Sequence, residues 1–272
     1  MDDYELLDVG SGGRLERFGA HVTDRPAAGA LADRRAADRW SAADLRFDRD
    51  RGWSGPGMAS AEAGWIVRLH DLALQLRPTD AGQVGCFPEH AAHLPWLEAQ
   101  VAGRPDTHVL HLFAYTGLVT LALARAGAAV AHVDAARPAV AWARRNAAAN
   151  DLQDRPIRWL VDDARAFVER EVRRARPYDG IVLDPPTYGH GVGRSRPWRI
   201  EQDLPALIDD IGRLLTPGGF VLLTAHTESI GPDDLRAVLA PIGGYLEAGD
   251  LNIRAASGAD LALGSFARTS GA

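Results

Sequence analysis

The chain contains no lysine; all thirty of its basic residues are arginine. That absence excludes a Schiff-base lysine and the lysine of a phosphate-binding P-loop. A single cysteine, Cys86, cannot close an internal disulfide and excludes a cysteine-built zinc site, and no metal is expected. No apolar run approaches the roughly 20 residues that span a bilayer. The start, MDDYELLDVG, lacks the basic and apolar segments of a secretory signal. A cytoplasmic protein with no membrane partner is therefore expected. Positive charge is also scarce, with 36 acidic residues against 30 basic ones and a net charge of −6. A protein held on nucleic acid by charge alone is expected to be basic, because phosphate neutralisation supplies most of the non-specific affinity.

What is present is ordinary globular material: 272 residues, 46% hydrophobic and 24% charged. Residues 1–95 read as a small β-rich extension. A hairpin is expected around the Gly-Ser-Gly-Gly of YELLDVGSGGRLERF. A second strand-rich stretch, GWIVRLHDLALQLRPTDAGQVGCFPEH, carries Trp65, Val67 and Leu69 on one alternating face, with turns expected at Pro78 and Gly82–Gly85. The arginine- and alanine-rich segment between them is read as a short helix and loops. From residue 96 onward, strands and helices alternate: THVLHLFAYTG, LVTLALARAGA, AVAHVDA, RPAVAWARRNAAANDL, IRWLVDD, ARAFVEREVRRARP, YDGIVLDPP, IEQDLPALIDDIGRLLTPGG and FVLLTAH. This alternation predicts an α/β fold, a doubly wound and mostly parallel sheet over residues 96–272.

In such sheets ligands bind beyond the carboxyl ends of the strands. The first strand ends in LFAYTG, which lacks G-x-G-x-x-G and so argues against a nicotinamide or flavin fingerprint. Thr116 and Gly117, at a helix start, can offer backbone N–H groups to an anionic part of a ligand. The second strand ends in Asp134, about 20 residues past that turn, the spacing at which a carboxylate accepts the hydroxyls of an adenosine ribose. An aspartate there serves either as that acceptor or as a helix N-cap, and the preceding turn favours the ribose. The third strand ends in Asp162-Asp163, either of which can accept an exocyclic amine of adenine or cap the next helix.

The fourth strand ends in LDPPTYGHG. Asp184 and the carbonyl of Pro185 are acceptors suited to an NH2 group, and Tyr188 offers a flat surface for a base. Downstream, His190 and the arginines Arg194, Arg196 and Arg199 are candidates to hold a phosphate backbone or an anionic substrate. His226, at the end of the fifth strand, is a candidate for assisting deprotonation, with a structural role as the alternative.

The ordered set of LFAYTG, the DA at 134 and DPPTYG resembles the class I S-adenosylmethionine-dependent methyltransferases, and within them the group related to bacterial 23S rRNA large-subunit methyltransferases, over about residues 80–272. The resemblance implies that Phe113, Ala114, Tyr115, Thr116 and Gly117 lie around the methionine part of S-adenosylmethionine. It implies Asp134 and Ala135 at the ribose, and Asp162 or Asp163 with Ala164 at the adenine. Asp184, Pro185 and Pro186 would line the junction of cofactor and acceptor, and Phe87 and Glu89 would belong to a turn over the methionine end. Relatives that methylate cytosine carbon 5 use a cysteine nucleophile near the fourth or fifth strand end. Here those places hold Pro185 and TAHTES, which excludes that chemistry and leaves direct in-line transfer to nitrogen, with oxygen as the second choice. The expected substrate is a base nitrogen of RNA, ribosomal by resemblance. Against it stand the eleven arginines and fifteen acidic residues of residues 1–95, so the alternative is a small-molecule N- or O-methyltransferase. A non-catalytic binding module is disfavoured by the retention of both Asp134 and the full D-P-P stretch.

Overall fold

The computed structural model describes residues 2–189 and 196–271. They form two compact units, Met1–Ala92 with Asn252–Leu263, and His93–Leu251 with Gly264–Ala272.

In the first unit a five-stranded sheet runs in chain order through Tyr4–Gly10, Gly13–Phe18, His21–Pro26, Leu45–Asp48 and Gly52–Ser54. The expected hairpin is there: Gly10 pairs with Gly13 across Ser11 and Gly12, whose φ values of 51° and 77° match the twist of a two-residue hairpin. The other hairpin, Trp65–Leu69 with Leu72–Leu76, turns at His70 and Asp71 (φ 52° and 58°), and the chain turns again at Thr79–Gln83, in the stretch where turns were expected. The strands Leu45–Asp48 and Gly52–Ser54 lie in the segment read as helix and loops. At four and three residues they are too short for an alternating pattern to register.

The second unit is the α/β part. After an opening helix, Leu94–Val101, its elements include β1 (His108–Leu112), α1 (Leu118–Arg125), β2 (Ala129–Asp134), α2 (Arg137–Ala148), β3 (Ile157–Val161), α3 (Ala164–Arg173), β4 (Tyr178–Leu183), α4 (Ile200–Gly212), β5 (Leu215–Ala225) and α5 (Pro232–Leu239), and two last strands, β6 (Tyr245–Arg254) and β7 (Asp260–Ser270), extend from it into the Asn252–Leu263 segment of the first unit. The seven-stranded sheet has the order β3-β2-β1-β4-β5-β7-β6. β3, β2, β1, β4 and β5 are mutually parallel, while β7 runs antiparallel to β5. Strand order reverses between β1 and β4, so their carboxyl ends open a crevice at the switch point. Helix α4 stops at Gly212, short of the expected TPGG, because Leu215 already pairs with Tyr178 ahead of a register shift. The sequence reading had no counterpart for α5, β6 or β7.

The core explains the rigidity of the strand ends. Leu110, Leu112, Ile181, Leu183, Val221 and Leu223 alternate along three neighbouring strands and pack against Phe167 and Val168 of α3 and Leu204, Leu207, Ile208 and Ile211 of α4. The i, i+4, i+7, i+8, i+11 spacing from Ile200 to Ile211 places one stripe of α4 on the sheet, each buried side chain contributing about 1.5–3 kcal/mol. Gly180 is required by its neighbour: a Cβ there would lie 2.1 Å from the fully buried ring of Phe220, its partner across the ladder. Gly180→Ala is expected to lower stability by about 1–3 kcal/mol or more, read as a shift in the urea midpoint.

Candidate active site

The loop after β1 is held in an unusual conformation. Phe113 and Tyr115 both have positive φ, 55° and 48°, and Gly117, at the start of α1, has φ 92°. Left-handed backbone at a bulky aromatic costs on the order of 1–3 kcal/mol and persists only where the surroundings enforce it. They do so here. Ala114 N donates to Val133 O at 3.1 Å, Asn146 Nδ2 donates to Thr116 O at 3.0 Å, and Tyr115 N donates to Asp134 Oδ2 at 2.7 Å. Behind the loop, Thr120 Oγ1 links His111 Nδ1 (2.7 Å) and His132 Nδ1 (2.9 Å) in a buried chain. Burial drives the His132 pKa down to about 3, so that ring is neutral.

Asp134 therefore serves two neighbours at once. Its Oδ2 accepts Tyr115 N, and its Oδ1 accepts Ala136 N at 2.8 Å. A carboxylate has about four lone-pair sites, so roughly two remain for hydroxyls of a ligand. Burial raises its pKa, and the N–H groups of Ala136 and Tyr115 counter only part of that.

At the end of β3 the two aspartates divide their tasks. Asp163 is the N-cap of α3, accepting Ala166 N at 3.1 Å, with Arg165 Nη2 3.4 Å from its second oxygen. Asp162 is ion-paired with Arg170, and its N–H donates to Asp134 O at 3.0 Å.

These strand ends surround a cleft that is partly open to solvent. Its polar wall is Asp134, Asp162, Asp163 and Arg165; Phe113, Val133, Ala135, Ala164, Pro186, Gly189 and Trp198 complete it. Among the described residues, Ala114, Tyr115, Thr116, Gly117 and Asp184 do not line this cleft. The first four shape the loop that positions Phe113 and Asp134. Phe87 and Glu89 lie in the first unit, where Phe87 meets His90 edge-on at 6.2 Å and Glu89 is buried.

The end of β4 forms the neighbouring corner. Asp184 Oδ1 accepts Thr224 Oγ1 at 2.5 Å and lies 3.2 Å from His226 Nε2, so the two strand-end candidates are paired. The carbonyl of Pro186 accepts Trp198 Nε1 at 2.7 Å. Tyr188 is 49% exposed and pairs with Arg199 in a short two-stranded ribbon, with the Arg199 guanidinium 5.9 Å from its ring centroid. Arg196 is tied down: it forms an ion pair with Asp203, which also takes Arg165 Nη1 at 3.3 Å and Arg199 N at 2.7 Å. Burial alone would raise the Asp203 carboxyl, but the Arg199 N–H and the guanidiniums of Arg196 and Arg165 outweigh it and hold the pKa low. His190 and Arg194 lie outside the described residues.

Val133, Arg165, Gly189 and Trp198 line the cleft without having been singled out from the sequence. Arg165 was accessible to sequence reading, standing two residues after Asp163. Trp198 had no such signal, because its place depends on the pairing of the ribbon.

The family model described as S-adenosylmethionine-dependent methyltransferase matches residues 31–246. The ribosomal RNA large subunit methyltransferase K/L of Methylococcus capsulatus is 34% identical over 130 residues, covering 47% of this chain and 18% of that protein. The protein of the same name from Syntrophotalea carbinolica is 33% identical over 147 residues, covering 54% and 20%. This chain thus spans about a fifth of the length of the curated relatives it matches. The crystal structure of the SAM-dependent methyltransferase from Agrobacterium tumefaciens superimposes with a TM-score of 0.93 at 36% identity, covering 99% of this chain and 91% of that one.

Proposed function

The chain belongs to the S-adenosylmethionine-dependent methyltransferases, and from that premise we propose that it methylates a base nitrogen of ribosomal RNA by direct in-line transfer. The cleft fits the cofactor. Asp134 retains acceptor capacity for two ribose hydroxyls, Asp162 and Asp163 offer acceptors at the far end, and Phe113, Val133, Pro186 and Trp198 supply apolar walls for a flat ring. S-adenosylmethionine supplies an electrophilic methyl group on a positively charged sulfur. The chain's own residues have the remaining tasks of aligning the acceptor and excluding water.

The observation that carries the substrate reading is the half-exposed Tyr188 ring with the Arg199 guanidinium beside it, immediately after the D-P-P stretch. An aromatic face flanked by a guanidinium is a platform for an unstacked base. Asp184, held by Thr224 and His226, and the carbonyl of Pro185 are the acceptors beside it. The two K/L methyltransferases, named for ribosomal RNA, favour the same substrate class. An acceptor of that kind supports a cytoplasmic location as part of this reading. A small-molecule N- or O-methyltransferase is the second reading, favoured by the net charge of −6 and by the commitment of Arg196 and Arg165 to Asp203.

One assay separates the two. rRNA from a strain lacking this protein is incubated with the enzyme and methyl-labelled cofactor, and its nucleosides are identified by mass spectrometry. The expected result is one labelled nucleoside with the methyl on a ring or exocyclic nitrogen. Absence of label, with cofactor binding intact, would move the assignment to small molecules.

A further inference from the structure

Trp198 joins the two halves of the site. Its side chain is 4% exposed and forms a wall of the cleft, with its ring centroid 5.1 Å from that of Phe113. The indole N–H donates to the carbonyl of Pro186 at 2.7 Å. Its backbone pairs with Gly189 in the ribbon whose other pair is Tyr188 with Arg199. A Cβ on Gly189 would touch Trp198 Cβ at 3.4 Å and Pro186 Cγ at 3.6 Å, so Pro186, Gly189 and Trp198 are packed to contact. The far side of the ribbon is anchored separately, by Asp203 accepting Arg199 N and pairing with Arg165 and Arg196. One indole therefore faces the cofactor cleft with its ring and the end of β4 with its N–H.

We propose that Trp198 is a positioning residue that couples the cofactor cleft to the acceptor corner. A cofactor filling the cleft packs against the indole and immobilises it. The indole in turn fixes the Pro186 carbonyl and, through the Gly189 pairing, the Tyr188 platform. A filled cleft therefore tightens an acceptor corner that is already paired, which makes cofactor binding the first step. This inference rests on the reading of Asp184 and Tyr188 as the acceptor side. The N–H matters as much as the ring: indole has one donor, and without it a carbonyl at the base of the ribbon loses its fixed partner.

The test uses the full chain, S-adenosylhomocysteine as the probe for the cleft, and Trp198→Phe, which keeps a ring and removes the donor. Calorimetry gives the affinity, hydrogen exchange follows the peptides covering 184–189 and 196–200, and methyl transfer to rRNA gives kcat and KM. In the wild type, S-adenosylhomocysteine is expected to slow exchange in both peptides by about tenfold. Trp198→Phe is expected to bind it within about threefold of wild type, to lose that protection, and to show kcat down about tenfold with KM for rRNA raised. Trp198→Ala, lacking the wall as well, is expected to lose about tenfold or more in affinity. A merely structural tryptophan would lower the melting temperature and affinity together without this split. Retained protection in Trp198→Phe would overturn the coupling, as would unchanged exchange in the wild-type ribbon when the probe binds. If the wild type transfers no methyl to rRNA, the substrate reading fails, and the exchange measurements alone still support or overturn the coupling.

Discussion

Asp134→Ala is expected to weaken binding of S-adenosylmethionine by about 100-fold or more while leaving the protein folded. Hydrogen bonds to a charged group contribute about 1.5–3 kcal/mol each, and two ribose hydroxyls are assigned to this carboxylate. The same side chain holds Tyr115 N at 2.7 Å, so its loss also releases a loop whose left-handed Phe113 and Tyr115 need support. Both effects act in the same direction. Titration calorimetry with S-adenosylhomocysteine reads the result directly, and an unchanged Kd would remove Asp134 from the ribose.

The same residue sets an acid limit on binding. Burial raises its pKa above the ordinary aspartate range, although the N–H groups of Ala136 and Tyr115 oppose the shift. In the ligand-free protein, a pKa raised on folding means that the ionised form is the disfavoured one. The stability contribution is present below the unfolded-state pKa and is lost as pH rises through the folded value. Cofactor binding has the opposite sign, because the carboxylate form is the one that accepts hydroxyls. Affinity is therefore expected to be flat near neutrality and to fall as pH drops through the raised pKa, earlier than an exposed aspartate would allow. Asp134→Ala should abolish this acid limb, which separates it from titration elsewhere.

The strand ends were legible in the sequence because each is a short-range signal. An apolar run, a turn residue and a carboxylate at the spacing of one strand-helix-strand unit were enough to place Asp134, Asp162 and Asp163 around one cleft. Asp163 shows how far such a signal reaches. Its two readings, N-cap and ligand acceptor, are compatible: it caps α3 through Ala166 N and still lines the cleft. Trp198 was not legible, because it reaches the cleft only through a ribbon of two-residue strands and a bond to Pro186. β6 was missed for a different reason. As an edge strand with mixed burial it carries no clean alternation, and the pattern YLEAGDLNIR gives little contrast between faces. Arg196, read as a substrate contact, forms an ion pair with Asp203 on the first turn of α4, a long-side-chain pairing across the start of a helix that no local pattern announces.

Asp184→Ala is expected to lower kcat about 100- to 1000-fold with cofactor affinity changed by no more than a few-fold. A side chain placed to take a proton from the acceptor typically contributes 10²–10⁴-fold, and Asp184 stands outside the cleft proposed for the cofactor. Its orientation comes from the next strand. Thr224 Oγ1 donates to Oδ1 at 2.5 Å and His226 Nε2 lies 3.2 Å away, so β5 fixes the carboxylate at the end of β4. Thr224→Val should then act through Asp184, with a smaller loss of about tenfold in kcat, since one hydrogen bond to a charged group is removed and the carboxylate itself remains. The double variant Asp184→Ala, Thr224→Val should be no slower than Asp184→Ala alone, because the threonine has nothing left to orient. Additive losses would mean that Thr224 serves catalysis by a separate route. Full turnover in a folded Asp184→Ala protein would leave the nitrogen held by Pro185 and the Tyr188 platform without a carboxylate.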